Sequence, residues 1–298
     1  MLYDVIVIGG SFAGQSAAMQ LVRARRRVAL VDAGRPRNRF AATAHGFLGQ
    51  DGVPPARIMA QARAQLTAYP TLDWVDGSAE IATGGRGRFT VALGDGRTLT
   101  GRRLILATGV RDELPSLPGL AERWGHSVLH CPYCHGYEIG GRPMGVLATQ
   151  PGADMKALLI ADWGPSVLFT QEAMLVAPDM TARLAARGVT LVEEPVVELL
   201  GAAPALEAAR LRDGSTVPVS ALFVGPRTHM ASPLASQLGC TFTEGHSGPY
   251  LTVDDWGATS VPGVYAAGDA IMAMHNATLA AASGVRAGAG THQSMLMD

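Results

Sequence analysis

The chain has 298 residues, enough for two domains of about 150 residues each. Hydrophobic residues make up 48% of it and charged residues 16%, which excludes a disordered chain and a coiled coil. The formal net charge of −1 gives no electrostatic reason to bind nucleic acid or an anionic membrane.

The N-terminus and the cysteine count indicate the compartment. The start, MLYDVIVIGG, lacks the charged stretch and the cleavage site of a signal peptide. No apolar run approaches the roughly 20 residues that a membrane span needs. Three cysteines are too few for a disulfide scaffold in a chain of this length. We therefore expect a cytoplasmic protein that does not contact a membrane.

The first predicted elements form a βαβ unit. Residues 4–10 (DVIVIGG) are a continuous apolar, β-branched run, which is typical of a buried parallel strand. A helical pattern follows over residues 11–26, and residues 28–33 (VALVDA) predict a second strand that ends in an acid. A β-rich stretch covers residues 74–100, and residues 102–109 (RRLILATG) predict another buried strand.

A second block of similar pattern spans residues 113–246. It contains a predicted strand at 143–149, a helix at 153–163 and a strand at 166–170. Near the end, GVYAAGD supplies a further strand and turn, and a closing helix is predicted from residue 277.

These elements predict an α/β fold with two Rossmann-like domains of three layers (ββα). Residues 1–112 and 247–298 would form one discontinuous domain, and residues 113–246 would be inserted into it.

A glycine-rich turn after the first strand predicts a nucleotide site. In the pattern G-x-G-x-x-G, glycines allow a sharp turn and let the backbone approach a pyrophosphate at a helix N-terminus. Here GGSFAG supplies Gly9, Gly10 and Gly14, with Ser11 at the place of the central glycine. Asp32, at the end of the second strand, is the acid that accepts ribose hydroxyls.

Two further loops follow predicted strands and carry residues suited to the same ligand. Thr108 and Gly109 come after one strand, and Gly268 and Asp269 come after another. An acid behind a glycine at a strand's C-terminal end accepts hydrogen bonds from a polyhydroxyl chain such as ribityl. Each loop alone is also an ordinary turn, but the three together favour one ligand site at the sheet edge.

The tetrapeptide Cys131-Pro132-Tyr133-Cys134 is a candidate redox pair. Two sulfurs at this spacing close a small disulfide ring that is reducible rather than structural. A zinc site remains an alternative, although it would need further ligands beyond the flanking His130 and His135, and an inert pair is a third. The motif also matches glutaredoxins, but there it follows the first strand of a small domain, whereas here it lies mid-chain.

His135 and Cys240 complete the candidate chemistry. With an ordinary pKa near 6.5, His135 is suited to take a proton from an incoming thiol or to give one to a leaving thiolate. The alternative for His135 is a solvent-facing loop histidine. The isolated Cys240 is expected to be a small buried hydrophobic residue.

Together these residues resemble the low-molecular-weight thioredoxin reductase family of flavoproteins over nearly the whole chain. The resemblance implies that Gly9, Gly10, Ser11, Gly14 and Asp32 hold the adenosine diphosphate of FAD. It also makes the discontinuous domain the FAD-binding one, and it implies a homodimer.

The resemblance further assigns residues around the flavin ring. Asp269 would contact the ribityl chain, and Asn276 and Ala277 would begin the helix that points at the flavin pyrimidine, where members usually carry Arg-Gln-Ala. Cys134 would face the flavin and Cys131 would exchange with substrate sulfur. The residue after the pair is usually aspartate in this family, so His135 changes the chemistry of proton transfer.

One departure from the family concerns nicotinamide. Members that use NADPH carry a second glycine fingerprint and then a basic cluster for the 2′-phosphate. The matching loop here, in GVLATQPGADMKA, has only Gly152, beside Pro151, and residues 170–172 read Thr-Gln-Glu. Glu172 at best serves an NADH ribose. Inefficient use of NADPH is therefore expected.

A nicotinamide-free branch of the family also has Cys-x-x-Cys-His sites and a degenerate second Rossmann half. It includes dithiol oxidases that close disulfides in small natural products such as gliotoxin and holomycin. We therefore predict an FAD-dependent dithiol oxidase that acts on a small-molecule dithiol or disulfide, or on a thioredoxin-like protein. The alternatives are a thioredoxin reductase fed by NAD(P)H or ferredoxin, and a flavin-binding redox sensor.

Overall fold

The computed structural model describes residues 1–297, which fall into two compact units. The first unit comprises Met1–Arg39, Pro55–Arg111 and the chain from Thr228 onward. The second unit comprises Phe40–Pro54 and Asp112–Arg227. The domain limits expected from the sequence stay a prediction.

The strands are numbered in chain order: β1 Leu2–Ile8, β2 Val28–Asp32, β3 Leu72–Asp76, β4 Ala79–Gly85, β5 Arg88–Leu93, β6 Thr98–Leu106, β7 Val110–Glu113, β8 Val128–Leu129, β9 Met144–Leu147, β10 Ser166–Phe169, β11 Val189–Val192, β12 Val196–Leu200, β13 Ala208–Leu211, β14 Thr216–Pro218, β15 Ala221–Val224, β16 Arg227–Met230, β17 Phe242–Glu244, β18 Pro249–Leu251 and β19 Val264–Ala266.

The α-helices are α1 Phe12–Arg23, α2 Pro55–Thr67, α3 Pro132–Ile139, α4 Ala153–Ile160, α5 Pro178–Ala186, α6 Leu234–Gln237 and α7 Ala277–Ser294. Short 3₁₀ turns cover Arg37–Phe40, Ala121–Arg123, Gly268–Ile271 and Met295–Met297. No helix within residues 1–297 is long and apolar enough to cross a bilayer.

The first unit is built on a seven-stranded sheet with the order β3-β2-β1-β6-β5-β4, and β19 also pairs with β6. Its β3-β2-β1-β6 part and the β19 pairing are parallel, whereas β4, β5 and β6 pair antiparallel. The apolar faces of β1, β2, β6 and β19 supply core residues such as Ile6, Val31, Leu104 and Ala266. This strand and helix order confirms the predicted α/β fold.

The second unit has its own parallel sheet with the order β11-β10-β9-β15-β8. Every residue of β9 and β15 is buried, as expected for strands covered on both faces. Val146, Leu168 and Phe223 belong to a core on one side of this sheet, which also includes Ala157 of α4. A small antiparallel sheet, β12-β13-β14, completes the unit. The edge strand β8 leads directly into the Cys-x-x-Cys motif.

Candidate active site

The turn between β1 and α1 is closed by glycines that leave no room for a side chain. A Cβ on Gly9, whose φ is +108°, would lie 2.1 Å from the carbonyl oxygen of Ala107. A Cβ on Gly14 would lie 1.7 Å from the carbonyl oxygen of Gly9. Ser11 is the N-cap of α1 but its side chain makes no capping hydrogen bond, so the first amides of the helix stay open to a ligand. The turn therefore fits a pyrophosphate.

Asp32 lies directly beside this turn. Its Oδ1 accepts hydrogen bonds from the backbone N–H groups of Gly10 and Gly34, both at 3.2 Å. A Cβ on Gly10 would come within 2.5 Å of the Asp32 Cγ, so only glycine allows this approach. The carboxylate is thus held beside the glycine turn through Oδ1, and its second oxygen, Oδ2, is a further hydrogen-bond acceptor.

The two other predicted loops of the first unit meet the same region. Ala107, which precedes Thr108 and Gly109, contacts the Gly9 position as described. A Cβ on Gly268 would lie 2.9 Å from the Cβ of Ala13 in α1, and the Gly268 N–H donates to Ser283 Oγ at 2.9 Å. The fold therefore gathers these loops at the carboxyl edge of the parallel strands, where α/β proteins bind ligands.

Asp269 has a partner that the sequence did not reveal. Its Oδ2 accepts a hydrogen bond from Arg37 Nη1 at 3.0 Å, and both side chains are about one-fifth exposed. Arg37 lies in the segment RPRNRF shortly after β2, and its pairing depends on a contact across 232 positions of sequence. This ion pair places a cation beside the predicted ribityl contact.

Asn276 and Ala277 begin α7 as the sequence predicted. Asn276 is the N-cap, and its Oδ1 accepts hydrogen bonds from the N–H groups of Thr278 at 2.8 Å and Leu279 at 3.3 Å. Because the side-chain oxygen is used in capping, the backbone N–H of Ala277 is the first helical donor left for a ligand.

Gln15 is a further residue of this region that sequence reasoning missed. It is buried in α1, and its Nε2 donates to the carbonyl oxygen of Gly10 at 2.8 Å. A glutamine directly after Gly14, the last glycine of the motif, was the available signal in the sequence. The Gln15 side chain bonds the carbonyl group of Gly10, whose N–H group donates to Asp32, and so stabilises the glycine turn.

In the second unit, Cys131 and Cys134 form a disulfide at the start of α3, with their Cα atoms 5.4 Å apart. Cys131 is the N-cap of the helix and Pro132 occupies its first turn. The N-terminal end of a helix carries a partial positive charge, which stabilises a thiolate there. The pair is therefore arranged for thiol–disulfide exchange, and among residues 1–297 no cluster of three metal-ligating side chains exists.

His135 follows the pair within α3 and is largely buried. Burial lowers the pKa of its imidazole below the usual 6.5, the nearby Glu138 carboxylate opposes this, and His45 adds to the lowering. His135 lines a cleft of about 350 Å³ in the second unit, together with Glu138, His126 and Arg142. The lowered pKa favours the neutral form of the imidazole, and the side chain lies in α3 at a cleft rather than in a solvated loop.

Aromatic residues support α3 on one side. The ring of Trp163 lies against Gly136, where a Cβ would come within 3.0 Å of the indole, and meets Tyr133 edge-on at 5.5 Å between ring centres. Tyr133 and Tyr137 are themselves exposed. Trp163 therefore packs beneath the helix.

The carboxyl edge of the second sheet differs from that of the first. Thr149 Oγ1 donates to the carbonyl oxygen of Gly225 at 2.9 Å. Lys156 Nζ donates to the carbonyl oxygens of His130 at 3.3 Å and Val224 at 3.2 Å. Burial lowers the pKa of Lys156 to about 8. Side chains bonded to strand-end carbonyls thus occupy the edge where a second dinucleotide would approach.

The turn after β10 also shows an ion pair that the sequence did not predict. Gln171 and Glu172 both have positive φ angles, of 59° and 53°. Glu172 pairs with Arg212 at 2.9 Å, and Glu194 lies 4.0 Å from the same guanidinium. Arg212, from the connection between β13 and β14, thus reaches this loop, and its positive charge faces the carboxylates of Glu172 and Glu194.

Comparison with known proteins assigns the family. A profile described as pyridine nucleotide-disulphide oxidoreductase matches residues 3–284. The chain belongs to this family. Thioredoxin reductase sirT of Leptosphaeria maculans is 32% identical over 98% of this chain and 94% of its own length. Thioredoxin reductase tcpT of Claviceps purpurea is also 32% identical, over 100% of this chain and 95% of its own.

Two solved structures share the fold of this chain. The oxidoreductase from Agrobacterium tumefaciens superposes with a TM-score of 0.96 at 45% identity, covering 100% of this chain and 99% of its own. HlmI superposes with a TM-score of 0.91 at 39% identity, covering 99% of this chain and 92% of its own. As a thioredoxin reductase-like member of the family, the protein is an FAD-dependent oxidoreductase.

Proposed function

We propose that this flavoenzyme is a dithiol oxidase that takes electrons from a small dithiol through Cys131 and Cys134 and does not depend on NADPH. The observation that carries the proposal is the edge of the second sheet. There, Thr149 and Lys156 bond to strand-end carbonyls where a nicotinamide dinucleotide would need glycine amides. The first sheet keeps such a turn, at Gly9 and Gly14.

The cofactor residues of the proposal lie in the first unit. Gly9, Gly10, Ser11 and Gly14 would hold the FAD diphosphate, and Asp32 would accept the ribose hydroxyls. Residues of three further loops would hold the rest of the cofactor: Thr108, Gly109, Gly268, Asp269, Asn276 and Ala277. When bound to these residues, FAD would supply a two-electron acceptor for the dithiol that oxygen can reoxidise.

The second unit supplies the sulfur chemistry. His135, neutral because burial lowers its pKa, takes the proton of an incoming thiol. The resulting thiolate attacks Cys131 Sγ, the Cys131–Cys134 bond breaks, and Cys134 leaves as a thiolate at the helix N-terminal end. The second substrate thiol then displaces Cys131, which releases the substrate disulfide and leaves the pair reduced. Overall, a dithiol and O₂ give a disulfide and H₂O₂.

The similarity to two fungal thioredoxin reductases favours a second candidate, a thioredoxin reductase. In that case electrons would flow from NAD(P)H or ferredoxin through the flavin to Cys131 and Cys134, and then to a thioredoxin-like protein. The two candidates use the same cysteines, so the source of electrons separates them.

Oxygen consumption tests the proposal. With dithiothreitol as the dithiol probe, we expect the FAD-loaded enzyme to consume oxygen and form one H₂O₂ per disulfide. Cys131→Ser and Cys134→Ser should abolish this activity. Cys240→Ser is the matched control, because Cys240 is a buried thiol of the other unit. Oxidation of NADPH at a rate equal to that of the dithiol, with reduction of added thioredoxin, would contradict the proposal.

A further inference from the structure

The segment Phe40–Pro54 belongs to the second unit, which carries Cys131 and Cys134. In sequence, this segment interrupts the first unit. It is an ordered loop. Ala44 and Val53 pair as an antiparallel bridge, with an N–H to carbonyl distance of 2.9 Å, and the Gly52 N–H donates back to the Ala44 carbonyl at 2.9 Å. The Gly46 N–H donates to Asp51 Oδ1 at 2.9 Å. These bonds fix the position of the residue between them, His45.

His45 is held between two carboxylates and a hydroxyl. Its Nδ1 lies 3.4 Å from Glu138 Oε1 and 3.5 Å from Asp51 Oδ1. Its Nε2 lies 3.0 Å from Thr43 Oγ1. The ring is only 17% exposed, whereas Asp51 is largely in solvent. Because both ring nitrogens have partners, the orientation of the ring is determined, and Nδ1 points at the dithiol helix.

Glu138 connects His45 to the dithiol. It lies three residues after His135 in α3, so the two side chains share one face of the helix, and both line the same cleft. The Glu138 carboxylate favours the protonated form of His135 and the His45 ring disfavours it. The other charged or titratable groups that line this cleft are His126 and Arg142, and Arg142 Nε donates to the Ile139 carbonyl at 2.7 Å.

We propose that His45 is a positioning residue of the dithiol site: it holds the Glu138 carboxylate beside His135, and the two together set the charge state of His135. This inference rests on the proposed function, because a site that consumes thiols needs His135 as its proton acceptor. His45 contacts neither sulfur. It acts on proton transfer through Glu138, from a loop whose sequence position gives no hint of this role.

The proposal predicts effects of opposite sign for two substitutions. His45→Asn keeps an amide donor near the place of Nδ1 and so retains Glu138, but it removes the ring that disfavours protonation of His135. The pKa of His135 should then rise. Glu138→Gln removes the carboxylate that favours protonation, so the pKa of His135 should fall further. His45→Ala has no donor for Glu138, so the pKa of His135 should be lower in this variant than in His45→Asn, because the carboxylate is no longer held. A role of His45 that does not act through Glu138 predicts no such difference.

The experiment follows the ring signals of ¹³C-labelled histidine against pH in the oxidised, FAD-loaded protein. The His135 signal is assigned by its loss in His135→Asn. We expect its midpoint to move to higher pH in His45→Asn and to lower pH in Glu138→Gln. His246→Asn, at an exposed histidine of the other unit, is the matched control and should leave the midpoint in place.

Equal midpoints in His45→Asn and His45→Ala, or an unchanged midpoint in Glu138→Gln, would overturn the proposal. If His45→Asn does not fold, His45→Gln, which also keeps an amide donor, takes its place in the comparison with His45→Ala. The acid limb of dithiol oxidation provides a second readout and should move in the same two directions. The resonance shifts do not require oxidase activity, so failure of the proposed function is recognised separately.

Discussion

Replacing Gly10 with alanine tests the close contact that holds Asp32. An alanine Cβ there would lie 2.5 Å from Asp32 Cγ and 2.7 Å from Oδ2, whereas ordinary contacts begin near 3.4 Å. The carboxylate must therefore move away from the glycine turn. A hydrogen bond to a charged group contributes about 1.5–3 kcal/mol, and about 1.4 kcal/mol corresponds to a factor of ten in affinity. Loss of one such bond to ribose raises the Kd for FAD by about ten- to a hundredfold.

The assay is a titration of apoprotein with FAD, followed by quenching of flavin fluorescence, together with the melting temperature of the apoprotein. Gly85→Ala is the matched control, because a Cβ at Gly85 meets nothing within 4 Å and its backbone is not in the left-handed region. We expect Gly85→Ala to bind FAD like the native chain. Native affinity in Gly10→Ala would refute the assignment of Asp32 to the cofactor.

Three further predictions concern titrating groups. The pKa of Lys156 is about 8 in the fold against 10.5 unfolded, so the unfolded chain binds more protons between these values and stability rises with pH there. The unfolding free energy of the native chain relative to Lys156→Met should therefore rise by up to about 3 kcal/mol across this window in denaturant titrations. Burial raises the pKa of Cys240 and so disfavours its reactive thiolate. After reduction, iodoacetamide should label Cys131 or Cys134 in the native protein, and Cys240 only after unfolding. Mass spectrometry of the labelled sites checks this. Because the pKa of His135 is lowered, the acid limb of kcat/KM for dithiothreitol should lie below pH 6.5, and His135→Asn should remove it and lower kcat/KM by about a hundredfold.

Much of the fold was predictable because its signals are local. The apolar run of β1, the glycine turn and the acid at Asp32 lie within one βαβ unit, whose geometry follows from strand and helix periodicity. The Cys-x-x-Cys spacing likewise favoured a redox pair over a zinc site or an inert pair, and the structure shows Cys131 and Cys134 bonded.

The residues that the sequence did not reveal act through contacts between distant segments. Arg37 meets Asp269 across 232 positions of sequence, and His45 meets Glu138 because the segment Phe40–Pro54 belongs to the same unit as α3 although it is far from it in sequence. Neither residue belongs to a periodic pattern or a motif of fixed spacing. Arg212 similarly reaches Glu172 from a distant turn. The residues directly after β10 include no arginine, so the sequence of that loop alone did not reveal this positive charge.

Anaerobic stopped-flow spectroscopy of the FAD-loaded protein tests the direction of electron entry most directly. We predict that dithiothreitol bleaches the flavin absorbance rapidly, that NADPH and NADH do not, and that Cys134→Ser abolishes the bleaching while Cys240→Ser leaves it unchanged. Rapid bleaching by NADPH, at a rate unaffected by Cys134→Ser, would show that a hydride donor reduces the flavin directly and would contradict the account.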